Sequence, residues 1–84
     1  MENIKTEILK NVCYTELVYG RINKKLNINF TIEEIEDFIY KILKNTPEKL
    51  YTKTGKNYYV VNNECKVRIT VNSNTFRVIT VDRV

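Results

Sequence analysis

The chain has 84 residues, of which 43% are hydrophobic, and its 14 basic and 10 acidic side chains give a net charge of +4. At this length folding buries only about 60–65% of the surface of the unfolded chain, so we expect a single domain over residues 1–84 with a small core. The sequence contains no histidine and only one serine, which excludes a Ser-His-Asp triad, a Cys-His dyad and metal sites built on imidazole. We therefore expect no catalytic residues, no metal and no cofactor, and the residue inventory leans against an enzyme.

The first half of the chain, residues 1–46, is predicted to be helical. Apolar residues recur at helical spacing from Ile4 to Leu26, which indicates one long helix. Its main stripe comprises Ile4, Ile8, Val12, Val18, Tyr19, Ile22 and Leu26, and a narrower second stripe comprises Leu9, Cys13 and Leu17. Glycine inside a helix is unfavourable by about 1 kcal/mol relative to alanine, so Gly20 indicates a kink or a break.

A second helix has clear signals at both ends. Thr31 and Glu34 fit a capping box, and Phe30 and Ile35 fit the hydrophobic staple around it. The acidic residues that follow favour the positive end of the helix dipole, which gives this acidic cluster a structural explanation rather than a catalytic one. Pro47 ends the helical pattern.

Beyond Pro47 the apolar period changes from 3.6 to 2, which predicts strands over residues 50–53, 58–61, 65–71 and 75–81. Short turns rich in Gly and Asn separate them, as in an antiparallel meander. The predicted fold class is α+β, with two N-terminal helices packed on one face of a C-terminal three- to four-stranded antiparallel meander over residues 48–84.

The last hairpin decides which side chains share a face of the sheet. With a two-residue turn at residues 72–73 or 73–74, strict alternation turns inward Cys65, Val67, Ile69, Val71, Phe76 and Val78. The opposite face then carries Lys66, Arg68, Thr70, Thr75, Arg77, Ile79 and Val81. Arg68 and Arg77 would be cross-strand neighbours, which is unfavourable unless an anion lies between them. A three-residue turn would instead send Arg77 inward.

The excess positive charge lies in the meander half. Residues 1–47 hold seven basic and seven acidic side chains, whereas residues 48–84 hold seven basic and three acidic ones. Cations together with a flat tyrosine ring suit phosphates and bases. We predict a binding surface for RNA or for an acidic protein or nucleoprotein, formed by Arg68, Arg77, Lys66, Tyr59 and Arg83.

Three stretches, "NVCYTELVYGRINKKLN", "GKNYYV" and "RITVNSNTFRVITVDR", resemble an uncharacterised family of small bacterial proteins known only as a domain of unknown function. That resemblance covers nearly the whole chain and implies no activity, substrate or binding residue. The layout of helices followed by a meander ending in "FRVITV" is similar to the RelE, ParE and BrnT-type toxins, several of which cleave mRNA with arginine, lysine and tyrosine on the sheet. This similarity implies a ribonuclease role for Arg68, Arg77 and Tyr59.

Two alternatives to RNA binding and to cleavage stay open. In the first, the chain is an inhibitory or structural protein, such as an anti-defence inhibitor, that docks on a partner or forms a homodimer through Ile79, Val81 and the second helix stripe. Alternatively, Glu16 pairs with Arg68 or Arg77 inside the fold, and the basic face is then a satisfied polar cluster.

The N-terminal residues and the cysteines bear on the compartment. Acidic residues occur near the start and no long apolar run follows, so we expect neither a secretory signal nor a membrane span, and a cytoplasmic protein. Cys13 and Cys65 lie on different predicted elements, which favours free thiols over a disulfide.

Overall fold

In the computed structural model, which describes residues 3–84, three α-helices precede a four-stranded antiparallel sheet. The helices are α1 (Ile4–Asn11), α2 (Val18–Leu26) and α3 (Ile32–Asn45), followed by a short 3₁₀ turn (Glu48–Leu50). The strands are β1 (Tyr51–Thr54), β2 (Asn57–Asn62), β3 (Val67–Asn72) and β4 (Val78–Arg83), in the spatial order β1-β2-β3-β4. The predicted α+β fold and the meander are confirmed.

The first predicted helix is in fact two helices. After α1 the chain leaves the helical path, and Cys13 forms a parallel β-bridge with Arg77. The Cys13 N–H donates to the Phe76 carbonyl and the Val78 N–H donates to the Cys13 carbonyl, both at 3.0 Å. A residue whose N–H and C=O both bond to a strand edge cannot also continue a helix. The break therefore lies at residues 12–17, and Gly20 is inside α2.

Helix α3 begins and ends as predicted. The Thr31 hydroxyl accepts from the Glu34 N–H at 3.2 Å, and the Glu34 carboxylate accepts from the Thr31 N–H at 2.9 Å. These two bonds form the expected capping box. Just before the helix, Phe30 packs edge-to-face on Phe38 with ring centroids 5.7 Å apart. The sequence signals at the ends of this helix were therefore sufficient to place it.

The hydrophobic core lies between the three helices and the inner face of the sheet. The largest fully buried side chains, each at most 2% exposed, are Ile8, Ile22, Ile35, Ile39, Leu43, Ile69, Val60, Val71, Val78 and Val81. A polar pair is buried beside them: the Asn62 amide donates to the Thr46 hydroxyl at 2.9 Å, and that hydroxyl donates to the Ile42 carbonyl at 2.6 Å. Each polar group thus meets a partner, as burial requires.

The β3–β4 hairpin differs from the prediction. The register pairs Thr70 with Thr80 but Val71 with Val78, so a β-bulge leaves Ile79 as an extra residue in β4. The turn is also longer than two residues, because the Asn72 N–H bonds to the Arg77 carbonyl and four residues lie between them.

The structure also corrects several predicted orientations, some through the bulge and the longer turn and others elsewhere in the sheet. Val81 is 0% exposed and belongs to the core, so it cannot form a dimer contact of the folded chain. Thr70 is also buried, although it lies on the outer face of the sheet. Cys65 is an exposed free thiol in the β2–β3 turn, not an inward strand residue. Arg68 faces Asp82 across the strands and is not a neighbour of Arg77.

The β4 edge of the sheet is covered by the N-terminal half of the chain. Helix α2 packs along β4, and the bridge at Cys13 occupies the start of that edge. Within residues 3–84, no helix combines the length and apolar character that a membrane span requires. This arrangement brings the beginning of α2 beside the β3–β4 turn, where the candidate site lies.

Candidate functional site

The five residues predicted to bind do not form one surface. Tyr59 and Arg68 meet on the outer face of the sheet, where the Arg68 guanidinium carbon lies 5.9 Å from the centre of the Tyr59 ring. Lys66 is exposed in the turn before β3. Arg77 lies at the opposite end of β3, and Arg83 points toward the end of α2. The predicted grouping of Tyr59 with Arg68 is therefore present, and the other three residues lie apart from it.

The outer face carries an acid among its cations. An Asp82 carboxylate oxygen lies 3.1 Å from the Lys25 amine and the other lies 3.8 Å from the Arg68 guanidinium. Surface pairs of this kind contribute about 0–1 kcal/mol to stability, but they offset the charge available to a ligand. The Arg68 guanidinium also covers one face of the Tyr59 ring.

Arg83 has a structural role. Its guanidinium donates to the Leu26 carbonyl at the last turn of α2. Carbonyls there have no partner within the helix and carry the negative end of the helix dipole, so a cation stabilises them. Arg83 therefore holds α2 against the sheet.

A groove opens between the start of α2 and the β3–β4 hairpin, with a volume of about 330 Å³. We call it the arginine groove, and its defining residues are Leu17, Val18, Arg21, Arg77, Val78 and Ile79. Val18 and Val78 are buried, whereas both arginines are exposed. The groove therefore combines an aliphatic floor with two cationic side chains.

The local fold explains how the groove forms. The bridge between Cys13 and Arg77 fixes the chain at the hairpin, so that α2 starts beside β4. Arg21 lies one helical turn after Leu17, and its guanidinium donates to the Ile79 carbonyl at 3.3 Å. The bulge places Ile79 at this edge.

Neither groove arginine has an acidic partner in the part of the chain that the structure describes. Arg21 uses one donor on the Ile79 carbonyl, and no carboxylate among residues 3–84 lies within ion-pair distance of Arg21 or Arg77. Glu16, the alternative internal partner of Arg68 or Arg77, is exposed in the turn before α2 and forms no ion pair with either arginine among residues 3–84. A guanidinium has several N–H donors in a planar fork that suits carboxylate and phosphate oxygens.

A second polar cluster lies between α2 and α3. The Tyr14 and Tyr19 rings stack with centroids 5.7 Å apart, and the Tyr19 hydroxyl donates to the Glu36 carboxylate at 2.7 Å. Burial and the bond to Glu36 raise the pKa of Tyr19 to about 12. Burial and then the Glu36 charge also raise the pKa of Tyr14. Both phenols thus stay protonated at neutral pH and are poor candidates for a general base.

A family model described as "Protein of unknown function (DUF3781)" matches residues 6–82. The chain belongs to the DUF3781 family. The match runs from α1 into β4 and includes both groove arginines. It confirms the predicted membership of a family of unknown function, and it gives no support to the similarity with RelE-type toxins. No curated protein and no solved structure matches the chain.

In this member of the DUF3781 family, sequence reasoning missed the position of Arg21 in the groove. Arg21 belongs to the helical half, where acidic and basic residues balance, so its charge did not stand out. One signal was available: Leu17 and Arg21 are four residues apart and therefore share a helix face. The opposite wall of the groove, formed by the β3–β4 hairpin, lies beside α2 because of the bridge at Cys13, which local sequence does not encode.

Proposed function

We propose that the protein is a non-catalytic binding module whose arginine groove holds an acidic segment of a partner protein. One observation carries this proposal: Arg21 and Arg77 line an open groove with an aliphatic floor, and no carboxylate of residues 3–84 pairs with them. Arginine binds carboxylates through charge-assisted and often bidentate hydrogen bonds. The net charge of +4 would also attract acidic partners from a distance.

A protein partner fits the groove better than RNA does. Surfaces for single-stranded nucleic acid combine a basic path with aromatic side chains on which bases stack. The arginine groove has no aromatic side chain among its lining residues, which are aliphatic or polar apart from the two arginines. On the outer face of the sheet the one candidate ring, Tyr59, is covered by Arg68, and Asp82 lies nearby.

A symmetric homodimer through this region is disfavoured. Ile79, one of the two residues predicted to form such a contact, lies in the arginine groove, and the other, Val81, is buried. An isologous contact places the same patch of both copies face to face. It would bring Arg21 and Arg77 of one copy against those of the other, with no carboxylate in the groove to separate them.

The proposal is tested by fluorescence anisotropy with two labelled probes, poly-L-glutamate and single-stranded RNA, over a series of salt concentrations. The groove variant is Arg21→Gln/Arg77→Gln, because glutamine keeps N–H donors and loses the charge. The matched control, Lys66→Gln/Arg68→Gln, removes the same charge outside the groove, at Arg68 on the outer face and at Lys66 in the turn before β3. We expect poly-L-glutamate binding to weaken by about tenfold or more in the groove variant, since hot-spot arginines each contribute over about 1 kcal/mol. The control should bind almost as well as wild type.

The other outcomes oppose the proposal. Equal losses in both double variants would indicate general charge attraction without a site. Tighter binding of RNA, lost in the control variant, would move function to the outer face and support the predicted RNA-binding surface. Shortening of the RNA during the measurement would favour a ribonuclease. Thermal unfolding of each variant shows that it is folded before binding is measured.

A further inference from the structure

Resting on the proposed function, a further inference concerns the chemistry of the bound segment. We infer that it carries one large apolar side chain, flanked by carboxylates, which packs between Leu17 and Ile79 in the arginine groove. The carboxylates then reach Arg21 and Arg77 on the two walls. Three observations about α2 and the groove support this partner class.

The first observation is the exposure of Leu17. Its side chain is 81% exposed, the highest value among the large exposed hydrophobic residues of the described chain. Leu17 also occupies the N-cap of α2, a position that favours Ser, Thr, Asp or Asn, and it makes no side-chain capping bond. Within the folded chain Leu17 thus contributes neither to the core nor to the cap. Contact with an apolar group of a partner would account for an exposed leucine at this position.

The second observation is Gly20, one helical turn from Leu17 on the same side of α2. An added Cβ at Gly20 would meet no atom within 4 Å, so packing inside the chain does not require glycine there. Glycine nevertheless weakens a helix. Gly20 does not itself line the groove, so its bare backbone allows a close approach to α2, beside Arg21, by the part of a bound segment that continues beyond the groove.

The third observation is the size and composition of the groove. Its volume of about 330 Å³ lies at the lower end of the range for ligand pockets. This space suits one large side chain with the adjoining backbone rather than a folded element. Aliphatic side chains form the floor and the guanidinium groups stand at the sides. An apolar residue between acidic residues therefore complements both parts.

The inference is tested by selection from a displayed library of short random peptides on the wild-type protein, with depletion on Arg21→Gln/Arg77→Gln. We expect the enriched peptides to share an apolar residue flanked by Asp or Glu. The affinity of one enriched peptide is then measured by calorimetry on Leu17→Ser, on Gly20→Ala and on the control Ile32→Ser, which changes another exposed aliphatic residue, on α3. Leu17→Ser and Gly20→Ala should each weaken binding by about fivefold or more, and Ile32→Ser should not.

The outcomes separate this inference from the proposed function. Acidic peptides without an apolar preference, bound equally by Leu17→Ser, would leave the proposed function in place and overturn the inference. Enrichment only when the depletion step is omitted, of apolar peptides that bind the groove variant as well as wild type, would overturn both, and so would the absence of any enriched peptide. Unchanged affinity in Gly20→Ala would remove the close approach to α2 and leave only the contact with Leu17.

Discussion

The two glycines of the chain provide a matched pair for testing the backbone argument. At both Gly20 and Gly55 an added Cβ would meet no atom within 4 Å, so steric packing predicts no effect of alanine at either. The backbone predicts opposite effects. Gly20 is helical, at the third position of α2, whereas Gly55 has a φ of +62° in the β1–β2 turn. Alanine favours the helical conformation found at Gly20 and disfavours the positive φ found at Gly55.

The magnitudes follow from these conformations. Alanine for glycine in a helix contributes about 0.5–1 kcal/mol, and we take the lower value because Gly20 lies in the first turn. An L-residue in the left-handed region costs about 1–2 kcal/mol. For a chain of this size, about 1 kcal/mol shifts the melting temperature by about 4–8 °C. Gly20→Ala should therefore raise the melting temperature by about 2–4 °C, and Gly55→Ala should lower it by about 4–16 °C.

Circular dichroism during heating measures both shifts, and urea unfolding with an unchanged m-value checks that the unfolded state is the same. A lower melting temperature for Gly20→Ala would refute the reasoning, because it would show that the folded chain itself requires glycine in α2. The inference of a close approach by a partner would then lose its basis. A neutral Gly55→Ala would show that the turn readily adopts another conformation.

Two further predictions concern a buried polar pair and the half-buried Tyr19. Thr46→Val removes the hydroxyl that accepts from Asn62 and should lower the free energy of unfolding, measured in urea, by about 1–3 kcal/mol. The control Thr52→Val, at an exposed position, should change it little. Equal urea midpoints for the two variants would contradict a stabilising role of the Thr46–Asn62 pair. The pKa of Tyr19 is raised to about 12, so the folded protein keeps this proton when the unfolded chain has released it near pH 10. The contribution of Tyr19 to the free energy of unfolding should therefore be fully present below about pH 10 and be lost as the pH rises toward 12. The free energy of unfolding should fall less steeply over this range in Tyr19→Phe. A constant free energy of unfolding across the range would contradict the raised pKa of Tyr19.

Much of the fold was predictable because its signals are local. The capping box at Thr31 and Glu34 and the stop near Pro47 define α3 with residues only a few positions apart. The alternation of apolar residues likewise indicated four strands in a meander. Local sequence determined α3 and the number and order of the strands, whereas the predicted strands 65–71 and 75–81 are observed as Val67–Asn72 and Val78–Arg83.

The features that sequence did not predict depend on distant contacts. Residues 12–17 keep helical periodicity, but Cys13 bonds to the last hairpin instead. In β4 the bulge at Ile79 reverses the alternation, so that Val81 turns inward. The candidate site was missed for the same reason, because Arg21 and Arg77 come to line one groove only after both rearrangements.

The bridge at Cys13 also has a consequence for the order of folding. The Cys13 thiol contacts the Thr75 carbonyl across 62 positions of sequence, and α2 rests on the last strand. Closing so long a loop costs conformational entropy before the contacts that it brings together can stabilise the chain. Folds that depend on contacts between distant parts of the sequence therefore form slowly. While a ribosome has yet to add β4, the apolar side of α2 has no sheet to cover it. Nascent chains at that stage are the ones that we expect chaperones to bind.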